Sequence, residues 1–149
     1  MADVKKGIIL KGIGGLYFVE TADAVFECKA RGIFRKSGQK PLVGDEVDIL
    51  IGEDGANNTI EKIYPRRSEL MRPPVANLDR LFILSSVRDP NPSTLIIDKM
   101  TAIACWKNIE PVIVITKDDL GDTSELRGIY EKAGIPFFSV SSRDGRGAD

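Results

Sequence analysis

The sequence predicts an all-β OB-fold barrel followed by a partial α/β three-layer domain with a parallel sheet. Up to residue 65, short strand-forming stretches are separated by glycine-bearing turns, which is typical of a small barrel. After residue 77, apolar strands alternate with helical patterns, which is typical of β-α-β units. Prolines at positions 65, 73 and 74 separate these two patterns. We therefore assign the barrel to residues 1–65, a linker to 66–77 and the α/β unit to 78–149.

Five strands are predicted for the barrel from alternation and from β-branched residues. An OB-fold is the most common five-stranded choice, and an SH3-like barrel is the alternative that strand count leaves open. The predicted strands are Gly7–Leu10, Leu16–Glu20, Ala24–Ala30, Glu46–Ile51 and Thr59–Tyr64.

The α/β unit is predicted to contain three strands joined by two helices through right-handed parallel crossovers. The strands are Leu81–Val87, Val112–Thr116 and Phe137–Val140. Each helix has apolar residues at helical spacing, which predicts one buried face per helix. For the first helix, residues 94–107, the expected buried residues are Ile96, Met100, Ile103 and Ala104. For the second helix, which ends at Gly134, they are Leu126, Ile129 and Ala133.

Composition limits the functional classes. The net charge is −1, so a nucleic-acid contact has to come from a local cluster of cations. No apolar stretch approaches the ~20 residues of a membrane helix, and the amino terminus has no signal-peptide pattern. We therefore expect a monomeric, cytoplasmic protein without a membrane partner. Because the chain has no histidine, Cys28 and Cys105 do not form a zinc site of a familiar kind, and we expect both to be buried, reduced thiols.

The most informative motif follows the second strand of the α/β unit. The apolar run 112–115 predicts a strand covered on both faces, and Thr116-Lys117-Asp118-Asp119 comes directly after it. Ligands of open α/β sheets bind beyond the carboxyl ends of such strands. The Asp119 carboxylate can accept hydrogen bonds from the ring N–H and the exocyclic amine of guanine, a pair of donors that adenine lacks. The apolar stem of Lys117 can cover one face of the ring.

A second motif distinguishes this site from an ordinary solvated turn, which a T-K-x-D pattern alone would also fit. Ser141-Ser142 follows the next strand, and parallel strands bring their carboxyl ends to the same edge of the sheet. Backbone N–H groups of this loop can donate to the guanine carbonyl oxygen. Together the motifs predict a guanine-nucleotide site formed by Thr116, Lys117, Asp118, Asp119, Ser141 and Ser142.

A basic segment in the barrel half is a candidate RNA contact. Residues 29–40 carry five cations, one aromatic residue and no acid. Cations can contact phosphates, and an aromatic ring can stack on an unpaired base. A solvated loop is the alternative. The candidate RNA-binding residues are Lys29, Arg31, Phe34, Arg35, Lys36 and Lys40.

Several stretches together resemble the family of ribosome small-subunit-dependent GTPase A, also called RsgA or YjeQ. They are GIILKGIGGLYFVE, FECKARGIFRKSGQKPLVGDEV, RSELMRPPVANLDRLFILSSV, PVIVITKDDL and VSSRDG, and they span nearly the whole chain. The segment RPPVANLD, with the upstream KARGIFRK and PLVGD, is specific to that family, whereas T-K-x-D by itself is not.

The resemblance implies an OB-fold followed by a circularly permuted P-loop GTPase domain, in which the guanine motifs precede the phosphate-binding loop. It also implies GTP or GDP as the ligand, and GTP hydrolysis stimulated by the small ribosomal subunit late in its assembly, with rRNA as a partner. By the family pattern, Asp119 recognises guanine, Lys117 stacks on it and Thr116 ties the motif to neighbouring loops. Asp118 is the variable position, and Ser141 and Ser142 form the next motif, with serine in place of alanine at Ser142.

The sequence lacks other parts that this family uses. No G-x-x-x-x-G-K-[ST] pattern occurs, and the ligands of the magnesium and zinc that the family implies are absent. Phosphoryl transfer depends on a phosphate cradle and a bridging metal. We therefore expect a piece of a GTPase, with no catalytic residue and no GTP hydrolysis by this chain alone. The alternative is an RNA-binding barrel with a non-catalytic α/β scaffold. An unrelated α/β enzyme is disfavoured because no nucleophile or histidine base is evident.

Overall fold

The computed structural model describes residues 3–36, 38–53 and 57–147. The chain divides into two compact units, Met1–Leu78 and Asp79–Asp149. The first unit contains β1 (Asp3–Ile13), β2 (Leu16–Thr21), β3 (Val25–Ala30), α1 (Gly32–Lys36), β4 (Glu46–Ile51), β5 (Asn58–Ile63), β6 (Glu69–Met71) and β7 (Pro74–Ala76). The second unit contains β8 (Arg80–Ser86), α2 (Thr94–Trp106), β9 (Glu110–Thr116), a 3-10 turn (Asp118–Leu120), α3 (Ser124–Lys132) and β10 (Phe137–Val140).

The first five strands close into a barrel in the order β1-β2-β3-β5-β4. β1 pairs with both β2 and β4, and β3 and β5 are parallel. This order, with a helix between the third and fourth strands, is that of an OB-fold and excludes the SH3-like alternative. Alternate residues of each strand fill the interior, so that Ile9, Val19 and Ile49 are fully buried.

The structure contains a hairpin where the sequence predicts a linker. β6 and β7 are antiparallel, and Val75 forms a bridge with Val43, which precedes β4. The Ala76 amide donates to the Val43 carbonyl at 2.8 Å. Gly44 has a φ of +89°, and a Cβ atom there would lie 2.0 Å from the Ala76 carbonyl oxygen. A residue other than glycine would therefore displace the hairpin from the barrel. Proline spacing alone did not reveal this short pairing.

The second unit is a parallel sheet in the order β10-β9-β8. Ile97 of α2 and Tyr130 of α3 belong to one apolar cluster with Ile83, Ile113 and Phe137 of the strands, so both helices cover the same face. This is the arrangement that right-handed crossovers produce. Burial raises the pKa of Tyr130 to about 12, and its hydroxyl donates to Asp98 at 2.8 Å, which joins the two helices.

The opposite face of this sheet is apolar and open among the described residues. Leu84, Val114 and Phe138 lie side by side across the three strands. The exposed fractions of Leu84 and Phe138 are 67% and 55%, and that of Phe82 is 57%. Parallel sheets are usually covered on both faces.

The predicted faces of the two helices are only partly correct. In α2 the buried residues are Ile97, Thr101 and Ala104, whereas Ile96, Met100 and Ile103 are exposed. In α3 the buried residue is Tyr130, and Leu126 is half-buried against the core. Ile129 and Ala133 are exposed, contrary to the prediction.

The two cysteines differ in environment. Cys28 lies in the barrel interior, where burial raises the pKa of its thiol to about 11. Cys105 is exposed at the end of α2, so the expectation that both thiols are buried was wrong for this residue. Of the helices in the described ranges, none has the length and apolar character needed to cross a bilayer.

Candidate nucleotide-binding site

The two predicted guanine motifs lie at one edge of the sheet. β9 and β10 are adjacent and parallel, and Thr116 is the partner of Val140 in the last register position of β10. The loops that begin at Lys117 and at Ser141 therefore leave the sheet side by side. The Thr116 hydroxyl donates to the carbonyl oxygen of Ser85 on β8 at 3.1 Å, which fixes the first loop to the strand on its other side.

Asp119 faces the serine loop. The Ser141 hydroxyl donates to Asp119 Oδ1 at 2.7 Å, and Ser141 itself is only 2% exposed. The nearest cation to the other carboxylate oxygen is Arg143, whose Nη1 is 3.9 Å from Oδ2. A carboxylate has about four acceptor positions. Asp119 is thus oriented by a buried serine and retains acceptor capacity for a ligand.

Lys117 adopts a left-handed backbone conformation, with φ 59° and ψ 38°. Its ammonium donates to the carbonyl oxygens of Asp89 and, at 3.4 Å, Arg88, in the loop that follows β8. This contact connects the loops after β8 and β9. Whether the stem of Lys117 covers a guanine ring stays a prediction.

Ser142 is exposed, and its backbone N–H makes no hydrogen bond within the described part of the chain. An amide in this state can donate to a ligand carbonyl. Its neighbour Arg143 differs, because the Arg143 amide donates to the Ser141 hydroxyl at 3.3 Å.

The Asp118 carboxylate has different contacts from that of Asp119, and it stabilises the loop that follows β9. Its Oδ1 accepts from the Thr123 hydroxyl at 3.2 Å, and its Oδ2 lies 3.4 Å from Nη1 of Arg146. The side chain is 14% exposed. The structure shows the Asp118 carboxylate held by Thr123 and Arg146, and its predicted place in the nucleotide site stays a prediction.

The basic segment of the barrel is only partly available for an RNA contact. Lys29 and Lys40 are exposed, and Arg31 forms an ion pair with Glu61. Phe34 is 8% exposed and belongs to the barrel core, so the expected stacking on an unpaired base has no exposed ring in this structure. The backbone of Arg35 and Lys36 lies in α1, and their side chains are outside what the structure describes.

A groove with a volume of about 360 Å³ adjoins this segment. Tyr17 and Phe34 are among its apolar lining residues, and Gln39 and Lys40 are polar ones. The groove places one exposed cation beside an apolar surface on the barrel.

Two family models match the chain. The model of the RsgA N-terminal domain matches residues 6–57, and the model of the RsgA GTPase matches residues 63–149. The chain belongs to the RsgA GTPase family. The family membership expected from the sequence resemblance is confirmed.

Curated members of the RsgA family are similar over nearly the whole chain. "Small ribosomal subunit biogenesis GTPase RsgA" of Alkaliphilus metalliredigens is 43% identical over an alignment of 150 positions, which covers 98% of this chain and 51% of that protein. The protein of the same name in Ruminiclostridium cellulolyticum is 43% identical over 141 residues, covering 91% of this chain and 46% of that one. The chain spans about half the length of the curated relatives it matches.

The solved structures of YloQ and YjeQ have a fold similar to that of this chain. A crystal structure of YloQ, described as a circularly permuted GTPase, matches with a TM-score of 0.82 and 31% identity, covering 95% of this chain and 53% of that one. YjeQ from Thermotoga maritima matches with a TM-score of 0.81 and 32% identity, covering 97% of this chain and 54% of that one.

Clusters of possible ligand side chains bear on the zinc that the RsgA resemblance implies. Within the ranges that the structure describes, no three or more histidine, cysteine, aspartate or glutamate side chains lie together as a metal site.

Sequence reasoning did not single out two residues that contact the predicted guanine motifs. Thr123 and Arg146 both contact Asp118 from outside the quoted motifs. The available signal was the segment Arg143–Gly147, in which glycines at 145 and 147 indicate a tight loop and the cations flank an acid.

Proposed function

We propose that this chain is the guanine-recognising part of a cytoplasmic GTPase that acts in small-ribosomal-subunit biogenesis. The observation that carries the proposal is the 2.7 Å contact between the Ser141 hydroxyl and Asp119, which joins both guanine motifs at one sheet edge. The names of the curated relatives, which are small ribosomal subunit biogenesis GTPases, support the process.

Selection of the base follows from hydrogen-bond chemistry. Asp119 accepts from the ring N–H and the exocyclic amine of guanine, while the Ser142 amide donates to the guanine carbonyl oxygen. Each hydrogen bond to a charged group contributes roughly 1.5–3 kcal/mol when water is excluded. Adenine presents neither the pair of donors nor the carbonyl, so it leaves the carboxylate and the amide unpaired.

Hydrolysis needs more than base recognition. The reaction depends on backbone and lysine groups that hold the phosphates, together with a bridging metal ion that neutralises their developing charge. We infer that these groups belong to the half of the RsgA relatives that this chain does not span. The 149-residue chain alone then hydrolyses no GTP, and phosphate release from GTP by the purified chain with small subunits present would contradict this inference.

Base selectivity of the isolated chain tests the proposal. In a titration followed by amide NMR, millimolar GMP is expected to shift the signals of Asp119 and Ser142. IMP, which lacks the exocyclic amine, should bind more weakly, and AMP should cause no shift at these positions. Equal shifts with GMP and AMP, or none with either, would contradict the proposed guanine site.

We also propose that the barrel contacts rRNA through Lys29 and Lys40, the exposed cations of the basic segment. Each phosphate contact that is lost should reduce the salt dependence of binding by about one unit of log K against log salt. The double variant Lys29→Ala/Lys40→Ala is therefore expected to bind purified small ribosomal subunits several-fold more weakly, with a flatter salt dependence.

The matched control removes two cations elsewhere on the barrel. Lys6 and Lys62 both lie over the ring of Tyr64, at 4.7 and 4.3 Å. If Lys6→Ala/Lys62→Ala weakens subunit binding as much as the first double variant, the contact reflects general charge and the assignment to residues 29–40 fails.

A further inference from the structure

The serine loop, residues 141–147, is closed on itself by backbone hydrogen bonds. The Ser141 amide donates to the Arg146 carbonyl at 2.9 Å, and the Gly145 amide donates to the Ser141 carbonyl at 3.0 Å. Gly147 has a φ of +73°, and a Cβ atom there would lie 2.4 Å from the Ser139 carbonyl oxygen. Arg146 thus occupies the point where the loop returns to the end of β10.

The side chain of Arg146 connects this loop to the preceding motif. Its Nη2 lies 3.0 Å from Asp144 Oδ2 in the same loop, and its Nη1 lies 3.4 Å from Asp118 Oδ2 in the loop after β9. The Arg146 amide also donates to Asp144 at 3.2 Å, and this bond is the main reason that the pKa of Asp144 is lowered. One guanidinium therefore bridges carboxylates of both guanine loops.

This bridge contacts residues that adjoin or hold the proposed base-recognition group, Asp119. Asp118 and Asp119 are consecutive residues of one 3-10 turn, so holding the Asp118 carboxylate restricts the rotation of the turn that presents Asp119. On the other loop, the Arg146 carbonyl holds the amide of Ser141, whose hydroxyl orients Asp119. Arg146 therefore affects the Asp119 carboxylate in two ways, through Asp118 and through Ser141.

We propose that Arg146 is a positioning residue for guanine recognition, which holds the Asp119 loop and the serine loop in register without touching the base. The inference rests on the proposed guanine site. It adds a residue outside both quoted motifs and predicts that base affinity depends on an ion pair remote from the base.

Replacing Arg146 should change how often the two loops open and should not change the free energy of unfolding of the α/β unit. The Arg146 side chain is 60% exposed, and exposed ion pairs contribute little to folding. Arg146→Ala is therefore expected to leave the urea midpoint unchanged. Hydrogen exchange of the Ser141 and Gly145 amides should become about fivefold faster, because the loop opens more often.

The nucleotide titration supplies the functional measurement. Arg146→Ala should weaken GMP binding about fivefold, and Arg146→Lys should restore part of the affinity because it keeps the charge. In an Asp118→Asn background, Arg146→Ala should cause a smaller change than in the parent chain, since the two side chains act through one contact.

A matched control is present at the other end of the same sheet. Arg80 pairs with Glu110 at 2.6 Å, and its side chain is 61% exposed, close to the value for Arg146. Arg80→Ala removes the same charge and should change neither amide exchange at Ser141 nor GMP affinity.

The outcomes separate the two proposals. Unchanged amide exchange in Arg146→Ala overturns the positioning role, whatever the nucleotide does. Faster amide exchange with unchanged GMP affinity also overturns the positioning role, because the contact of Arg146 with Asp118 would then have no effect on binding of the base. A parent chain that treats GMP and AMP alike overturns the proposed function, while the exchange measurement still reports on the bridge.

Discussion

Replacing Asp119 with asparagine is expected to abolish the preference for guanine and to create a preference for xanthine. An asparagine amide offers one acceptor and one donor group, whereas the carboxylate offers acceptors only. The amide cannot accept both guanine donors, and its NH₂ group would face the exocyclic amine. Xanthine has a carbonyl in place of that amine and accepts from the same NH₂ group. The loss for guanine should be about a hundredfold in affinity, the value of one charged hydrogen bond.

Titration of the variant with GMP and with XMP, followed by the amide NMR signals of residue 119 and Ser142, measures this change from guanine to xanthine preference. Asp122→Asn is the matched control, because it makes the same charge change in the same loop. Asp122 contacts Ser124 and not the serine loop, so this variant should keep the guanine preference. Retention of guanine selectivity by Asp119→Asn would show that another group selects the base.

The proximity of the two predicted guanine motifs could be predicted from sequence because it depends on local patterns. An uninterrupted β-branched run such as 112–115 predicts a buried parallel strand, and residues directly after it must lie at the carboxyl edge. The same argument placed Ser141 beside that edge. The contacts that Thr123 and Arg146 make with Asp118 were not predictable, since they depend on side-chain positions that the sequence pattern does not specify.

Which residues of a helix are buried was harder to predict where apolar residues occur on more than one face of the helix. In α2 both Ile96 and Ile97 are strong core candidates, and spacing does not decide which of them faces the sheet. The sheet buries Ile97 with Thr101 and leaves Ile96 exposed. Phe34 is a related case, because its cationic neighbours suggested an exposed ring while the barrel interior required an apolar side chain.

A buried ion pair joins the barrel to the hairpin. Asp45 is fully buried, and its two carboxylate oxygens accept from Nε and Nη2 of Arg66 at 2.7 and 2.8 Å. The Leu42 amide donates to the same carboxylate at 2.7 Å. Arg66 in turn donates to the Lys40 carbonyl at 2.8 Å and pairs with Glu69 of β6 at 2.9 Å. The hydrogen bonding of Arg66 to the Asp45 carboxylate, in which Arg66 donates, is the main cause that raises the pKa of Arg66.

Asp45→Ala is expected to lower the free energy of unfolding of the barrel unit by about 3–5 kcal/mol. The Arg66 side chain is 15% exposed, so loss of Asp45 leaves a charge that neither water nor a carboxylate fully compensates. The Leu42 amide loses its acceptor in the same step, which adds part of the cost of an unpaired donor because the contact is partly buried.

Hydrogen exchange of the β1 and β4 amides measures this loss within the barrel unit, and urea denaturation followed by circular dichroism gives an independent value. Glu46→Ala is the matched control, because the neighbouring Glu46 pairs with Lys6 at 3.0 Å with side-chain exposures of 37% and 60%. Such an exposed pair should contribute at most about 1 kcal/mol. If Asp45→Ala costs no more than Glu46→Ala, the carboxylate does not hold the hairpin on the barrel, and the backbone bridge between Val43 and Val75 must do so instead.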